Sequence, residues 1–456
     1  MEKRDKIIAG FSHGFHNAAW AKIQGDEILF AQETERVSRK KFDAQLGFNP
    51  QTVNADVHVF YENTYKKNDR RISFSQLPLS TEFLLQYSYM RKHHESHAAS
   101  AYYTAPFSED VVCVVIDAIG EWDTCSIWII NDGILEKVWS QKYPTSLGLF
   151  YSAITKRIGL QPNCDEYITM GMAAYGEPCV DMLWCFNKDV NLHRGFTLEA
   201  FKGETPEDIA ASAQLHLETE IQKIMAIAST YGKNLCYAGG VALNCVANSK
   251  IAHMFDKVWI FPNPGDAGAS LGCALAHNKR QVKFKDTFLG TMIDRRLNPR
   301  EVVDHLLKHK VVGVANGKAE FGPRALGNRS LLGDPRYNIK DTVNKIKRRQ
   351  KFRPFAPAIL AECYDEYFEG FANEYMQFVA WAKHDYKSVT HVDGSARVQL
   401  VYPNDDCRLR MILEEFYSRT GVPMLLNTSL NIKGEPMVDT WEHALEFEKK
   451  YGVRVF

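Results

Sequence analysis

The chain has 456 residues, of which 45% are apolar and 24% charged, with 55 basic and 55 acidic side chains. This is an ordinary globular composition, and the length suits two large domains better than one. The zero formal charge excludes a global field for nucleic acid or an anionic membrane, though it is compatible with a local basic pocket.

No apolar run is long enough to span a membrane. Ten cysteines stand singly, from Cys113 to Cys407, with no Cys-x-x-Cys pair. Reduced thiols in a reducing compartment are expected. Met1 to Asp5 runs into a strand-like segment without a secretory apolar stretch, so a cytoplasmic location is expected.

Lys6 to Phe11 reads as a buried strand, followed by a polar loop from Ser12 to Asn17. Ala18 to Ile23 and Glu27 to Ala31 flank Gln24-Gly25-Asp26 and predict a hairpin. The charged run Glu33 to Lys41 predicts a solvated face, and residues 44–82 show no regular pattern. His93-His94-Glu95-Ser96-His97 lies among good helix formers. On a helix, His93 and His97 leave one face a turn apart and can share a metal ion; surface or capping histidines are the alternative. His94 points about 100° away and reads as a core or outer histidine.

Val111 to Ile116 is a continuous apolar strand that ends at Asp117. A carboxylate there is either a site residue or a turn cap. A second hairpin turns at Asn131-Asp132-Gly133, so the order of strand, polar loop and hairpin occurs twice. Ser146 opens a helix. Ala238-Gly239-Gly240-Val241-Ala242-Leu243-Asn244 joins a strand to a helix beginning near Asn244, a place where backbone N–H groups can approach a phosphate. Asp266, in the Gly-rich loop after another strand, is either a third metal ligand or a helix cap. Two His and one carboxylate suit Fe(II), with zinc and manganese as alternatives.

Residues 278–300 are polar and irregular and read as a domain boundary. The remainder is rich in cations. Phe321-Gly322-Pro323-Arg324-Ala325-Leu326-Gly327-Asn328-Arg329-Ser330 is followed by the basic stretch from Lys345 and Lys347 to Arg353. Arg397 and Asn427-Thr428-Ser429 come later. Arg forks, Lys charges and short hydroxyl or amide donors around a turn suit phosphate; a solvated helix face and an ordinary loop are the alternatives.

These motifs, in this order, resemble the O-carbamoyltransferases of antibiotic biosynthesis and nodulation-factor decoration. The resemblance rests on His93–Ser100, Ala238–Cys245, Gly265–Gly268, Phe321–Ser330, Phe352–Pro357 and Leu426–Ser429, and covers nearly the whole chain. It implies an α/β protein. Residues 1–285 would form a duplicated actin-like ATPase (ASKHA) domain for carbamoyl transfer. Residues 286–456 would form a twisted-sheet domain, similar to threonylcarbamoyl-AMP synthase, that makes carbamoyl-adenylate from carbamoyl phosphate and ATP.

The resemblance implies that His93, His97 and Asp266 hold a divalent metal, with Fe(II) expected and Mg(II) as a companion of ATP. His16 and Asp117 are candidate bases for an acceptor hydroxyl, and Arg353 is a candidate catalytic cation. Gly239, Gly240, Val241, Asn244, Arg324, Arg329, Lys345, Lys347, Arg397, Asn427, Thr428 and Ser429 are the candidate nucleotide- and phosphate-binding residues. The acceptor would be a small hydroxyl compound, such as a sugar, an antibiotic or a hydroxymethyl-pyrimidine nucleotide, with no membrane and no tRNA; a homodimer is left open. The family's usual Asp, Gly and Lys are replaced by Asn17, Ala118 and Ile168. Threonylcarbamoyl transfer to tRNA, and a nucleotide-binding regulator without turnover, are the competing readings.

Overall fold

The computed structural model describes residues 4–188, 190–197, 199–403 and 408–456; Met1 and Cys407 lie outside them. The chain forms two compact units, Met1–Thr34 with Phe42–Lys285, and Glu35–Lys41 with Asp286–Phe456.

In the first unit, β1 (Ile7–Ser12), β2 (Ala19–Gln24) and β3 (Glu27–Glu33) form an antiparallel meander. After α1 (Thr34–Ser38), β4 (Val57–Phe60) lies parallel to β1. Then α2 (Thr64–Ser73), α3 (Thr81–Leu84) and β5 (Tyr89–Met90) lead into α4 (His93–Tyr102). The sheet order is β3-β2-β1-β4-β5. The pattern repeats with β6 (Val111–Gly120), β7 (Asp123–Asn131) and β8 (Ile134–Lys142). Next come α5 (Leu147–Arg157), α6 (Glu166–Met172), α7 (Pro206–Ala228), β9 (Asn234–Ala238), α8 (Cys245–Ile251), β10 (Lys257–Ile260) and α9 (Asp266–Asn278). The second sheet runs β10-β9-β6-β7-β8, the same meander followed by two parallel strands. This duplicated unit is the actin-like ATPase fold.

Local chemistry explains the elements. The β2–β3 hairpin turns at Gly25 (φ 60°), and the β7–β8 hairpin at Asp132 and Gly133, both with positive φ. Ser146 caps α5 by accepting from Leu149 N at 3.1 Å, and Asn244 caps α8 by accepting from Ala247 N at 3.0 Å. Helices α4 and α9 pack together at Gly272, where a Cβ would sit 1.9 Å from Ser96 O.

In the second unit, β11 (Phe288–Ile293) pairs with β13 (Gly317–Glu320). Between them lie α10 (Pro299–His309) and β12 (Val311–Ala315). The chain goes on through β14 (Arg329–Gly333), α11 (Lys340–Ile346), β15 (Ala356–Leu360) and α12 (Tyr364–Tyr367). A small sheet, β16 (Phe368–Gly370), β17 (Ala380–Ala382) and β18 (Ser395–Ala396), precedes β19 (Gln399–Val401), α13 (Arg408–Thr420), β20 (Met424–Ser429) and α14 (Trp441–Tyr451). The main sheet is β12-β14-β20-β15-β19. One face buries Leu331, Ile359 and Leu426 with residues of α11 and α14; the other buries Leu332, Ala358 and Leu425 with residues of α10 and α13. Among the described residues no helix is long and apolar enough to cross a membrane.

Four expectations need correction. Residues 44–82 contain β4 and α2; β4 is short and set by pairing with β1 rather than by its own pattern. Residues 278–300 are not irregular throughout but include β11 and the start of α10; the units divide within this stretch, between Lys285 and Asp286. Asn427-Thr428-Ser429 is not a turn but the end of β20. The charged run is not a solvated face: Glu35 is 6% and Arg36 1% exposed. Its residues 35–41 belong to the second unit, where Arg36 Nη2 donates to Gly322 O at 2.8 Å and Arg39 donates to Met437 O and Pro436 O at 2.6 and 3.0 Å.

Arg36→Ala removes a charged donor from a buried carbonyl, which costs about 2–3 kcal/mol. A lowered denaturant midpoint with an unchanged m-value is the expected result in urea unfolding.

Candidate active site

The centre of the first unit is a cluster of four side chains from three elements. His93 and His97 project from the first two turns of α4, Asp117 from the far half of β6, and Asp266 from the first residue of α9. His93 Nε2 lies 3.1 Å from His97 Nε2, 2.9 Å from Asp117 Oδ2 and 3.4 Å from Asp266 Oδ1. His97 Nε2 lies 3.2 Å from Asp117 Oδ2 and 3.3 Å from Asp266 Oδ1.

Metal–ligand bonds of about 2.0–2.2 Å place neighbouring donor atoms about 3.0–3.5 Å apart. The four donors therefore fit one divalent cation. Burial opposes charge on His97, but hydrogen bonds with Asp117 and Asp266 outweigh it and raise its pKa to about 9. Burial likewise opposes the charge on Asp117, yet the two imidazoles hold its carboxyl well below the usual range.

Both Asp117 oxygens are engaged. Oδ2 faces the two histidines, while Oδ1 accepts from Ala118 N at 2.8 Å and Gly240 N at 3.3 Å. It joins His93, His97 and Asp266 in a group whose donor atoms could hold a metal ion, a place the sequence reading did not give it. Its position at the end of an apolar strand was the available signal. Gly239 (φ 95°) brings the loop in so closely that a Cβ would sit 2.2 Å from Ile116 O.

The paired glycines do not offer an open phosphate cradle. Gly239 N donates to Pro264 O at 2.9 Å, and Gly240 N serves Asp117. Val241 is buried, and the amide of Asn244 is bound to Gln214 besides capping α8. His94 sits outside the cluster. Ser126 Oγ accepts from Trp128 Nε1 and is hydrogen-bonded to His94 Nδ1, both at 2.8 Å. Burial keeps this imidazole neutral.

The loop after β1 has a different chemistry. Ser12 Oγ, His13 Nδ1, His16 Nε2, Asn17 Oδ1 and Thr34 Oγ1 are buried and have no hydrogen-bond partner among the described residues. Buried polar atoms in such number mark a place built to meet a polar group. His16 stacks on Phe42, with centroids 5.3 Å apart. His13 contacts the Tyr87 hydroxyl and the rings of Phe60 and Phe83. Burial, with the nearby Lys67 charge, lowers its pKa to about 4.

In the second unit the candidate residues separate into two kinds. Arg329 has no donor to spare: Nε, Nη1 and Nη2 bond the carbonyls of Asp439, Asn316, Gly317, Asn328 and Thr291. This corrects its expected phosphate role; burial pushes its pKa down to about 10. Lys347 Nζ is likewise tied to Ser429 and Asn431, and burial with nearby Arg349 and Arg353 pushes its pKa well below the usual lysine range.

Asn427 Nδ2 holds Ala325 O and Gln399 Oε1, while its Oδ1 is buried without a partner among the described residues, as are Ser330 Oγ and Arg397 Nε. Thr428 is in register with Leu331 and so shares the opposite face of the sheet from Asn427 and Ser429. Lys345 is exposed on α11, whereas Arg324 and Arg353 are half-buried. Glu320, not singled out in the sequence, accepts from Leu326 N, Asn328 N and Arg329 N through one oxygen and so organises the Gly-rich loop.

Family models for the carbamoyltransferase N-terminus match residues 49–197 and 186–275, and one for the carbamoyltransferase C-terminus matches 303–456. The chain belongs to the carbamoyltransferase family. Its reaction is transfer of a carbamoyl group. An uncharacterized Synechocystis protein, sll1178, is 32% identical over an alignment covering 96% of this carbamoyltransferase and 93% of its own length. Nodulation protein NolNO of Sinorhizobium fredii is 29% identical, covering 93% of this chain and 75% of its own. Nodulation protein NolO of Bradyrhizobium diazoefficiens is 32% identical over 77% and 75%.

Two outcomes follow for this carbamoyltransferase. His97→Ala leaves three of the four donors, and titration with Fe(II) or Co(II) is expected to show at least a hundredfold weaker binding. The depressed pKa of His13 makes the unfolded chain take up a proton first as pH falls below 6.5. Stability from this group is full above pH 6.5 and is lost as pH falls through about 4, a change of about 3 kcal/mol. His13→Asn is expected to flatten the urea-derived stability profile across that window.

Proposed function

We propose that the chain is an ATP-dependent O-carbamoyltransferase with the two half-reactions divided between its units. In the second unit, water cleaves carbamoyl phosphate to carbamate and phosphate. A carbamate oxygen then displaces pyrophosphate from the α-phosphorus of ATP, which Mg(II) accompanies, giving carbamoyl-adenylate. In the first unit an acceptor hydroxyl attacks the carbamoyl carbon, the new C–O bond forms, and AMP leaves. The observation that carries this reading is the cluster of His93, His97, Asp117 and Asp266 beside a carboxylate-anchoring Gly loop.

These four residues would hold a divalent cation, with Fe(II) the closest match to the donor set. When bound, the metal supplies Lewis-acid polarisation of the carbamoyl oxygen. The chain's own residues supply the rest. His16 Nε2, buried and without a protein partner among the described residues, takes the acceptor's proton. Asp117 is committed on both oxygens and serves the cation. Ser12 at the end of β1, Asn17 in the loop after it and Thr34 at the start of α1 add neutral donors and acceptors, which suits a hydroxyl compound. The Lys and Arg side chains of the second unit offset the repulsion between carbamoyl phosphate and ATP. Arg397, with a buried unpartnered Nε, is the strongest candidate there; Arg353, Arg324 and Lys345 stand behind it.

The test is pyrophosphate release from ATP and carbamoyl phosphate, followed by mass spectrometry with a panel of hydroxyl acceptors. Arg397→Ala is expected to slow pyrophosphate release at least tenfold. His16→Ala is expected to keep that step and slow carbamoyl transfer about 10²–10⁴-fold. Absence of pyrophosphate release from the wild type, with and without acceptors, would overturn the proposal.

A further inference from the structure

We propose that Glu121 is a positioning residue of the metal centre, fixing where His93 presents its Nε2. The inference rests on reading the four-residue cluster as a metal site. A metal-bound imidazole is ordinarily oriented by a hydrogen bond to its other nitrogen. Here His93 Nδ1 and His97 Nδ1 are buried with no such partner among the described residues. The orientation of His93 must come from elsewhere, and the β6–β7 turn supplies it twice.

Gly120 lies against its ring: a Cβ on Gly120 would sit 2.4 Å from His93 Cδ2 and 2.7 Å from His94 Cδ2. Glu121 holds its main chain. The N-cap of α4 is Lys92, whose ammonium has no lone pair to accept the helix's first N–H groups. The Glu121 carboxylate accepts that of His93 at 3.3 Å, and the same Oε1 accepts Asn63 N, the N-cap of α2, at 2.9 Å. One oxygen thus ties the starts of two helices.

The turn that carries Glu121 is itself held through its main chain. Arg70 of α2 donates to Ile119 O at 3.2 Å and to Glu121 O at 2.9 Å. Arg70 also pairs with the buried Glu62 at 3.7 Å. Glu121 is 6% exposed and has a φ of 55°, a conformation that costs energy in a non-glycine residue and persists where surroundings enforce it. The turn therefore grips His93 by both ring and backbone, and α2 locks the turn.

The experiment is Co(II) titration of the full chain against a competing chelator, with the visible absorption bands reporting the coordination sphere. Glu121→Ala is expected to weaken Co(II) binding about 10–100-fold and to shift the bands. Glu121→Gln keeps an oxygen acceptor for both N–H groups and is expected to stay within about threefold of wild type, with unchanged bands. Glu121→Asp keeps the charge but withdraws the oxygen, and serves in place of the alanine variant if that variant does not fold; it is expected to weaken binding at least tenfold.

Unchanged affinity and bands in the folded Ala or Asp variant would overturn the proposal. So would a Gln variant as weak as the Ala variant, since charge rather than position would then be responsible. A wild type that binds no Co(II) would instead overturn the metal-site reading itself.

Discussion

Two carboxylate oxygens and two imidazole nitrogens cannot share a space about 3 Å across unless positive charge lies among them. Protons or a cation must supply it, and the first unit is arranged around that requirement. Asp117 is aimed by two backbone N–H groups. Asp266 opens α9, and α9 approaches α4 through a glycine where any side chain would strike Ser96 O. Gly239 lets its loop close on the end of β6 so that Gly240 N reaches Asp117. The glycines in this unit set distances between donors. The N–H groups of the paired glycines meet Pro264 O and Asp117 Oδ1.

The second unit solves another electrostatic problem, that of concentrating cations in a buried place. It does so by spending some of them internally. Arg329 in β14 and Lys347 at the end of α11 are both buried, and their donors are met by carbonyl and side-chain oxygens without a carboxylate in contact among the described residues. Glu320 meets three N–H groups of the Gly-rich loop and Asn427 meets one of its carbonyls, so the loop is held through its backbone from both sides. Ser330 and Asn427, on one face of the sheet, keep buried side-chain oxygens without a partner among the described residues, and Arg397 Nε, between β18 and β19, is likewise buried without one. A basic stretch in a sequence is thus a poor guide to which cations are available.

Much of the fold was legible. Continuous apolar runs marked β1 and β6, Gly-containing turns marked the two hairpins, and their repetition pointed to the duplicated unit. The spacing of His93 and His97 put them on one helix face, and Asp266 was singled out for its loop. What escaped was short or non-local. β4 owes its existence to pairing with β1. The charged run Glu33–Lys41 has the composition of a surface, but Arg36 and Arg39 find carbonyl acceptors some three hundred to four hundred residues away in the chain, which no local pattern can announce. Glu121 and Glu320 received no role from the sequence for the same reason, since their partners are backbone N–H groups brought together by folding.

The sequence by itself determined the family and the two-part α/β organisation, and it put His93 and His97 on one helix face, because these depend on residue identity and on periodicities of 2 and 3.6. Only the tertiary structure showed that Asp117 lies against both histidines, that Gly240 N–H meets its carboxylate, and that the Arg329 donors are taken up by backbone carbonyls. Each of those depends on which partner reaches a polar atom first. Over distances of about 3 Å, that is settled by packing between elements far apart in the chain.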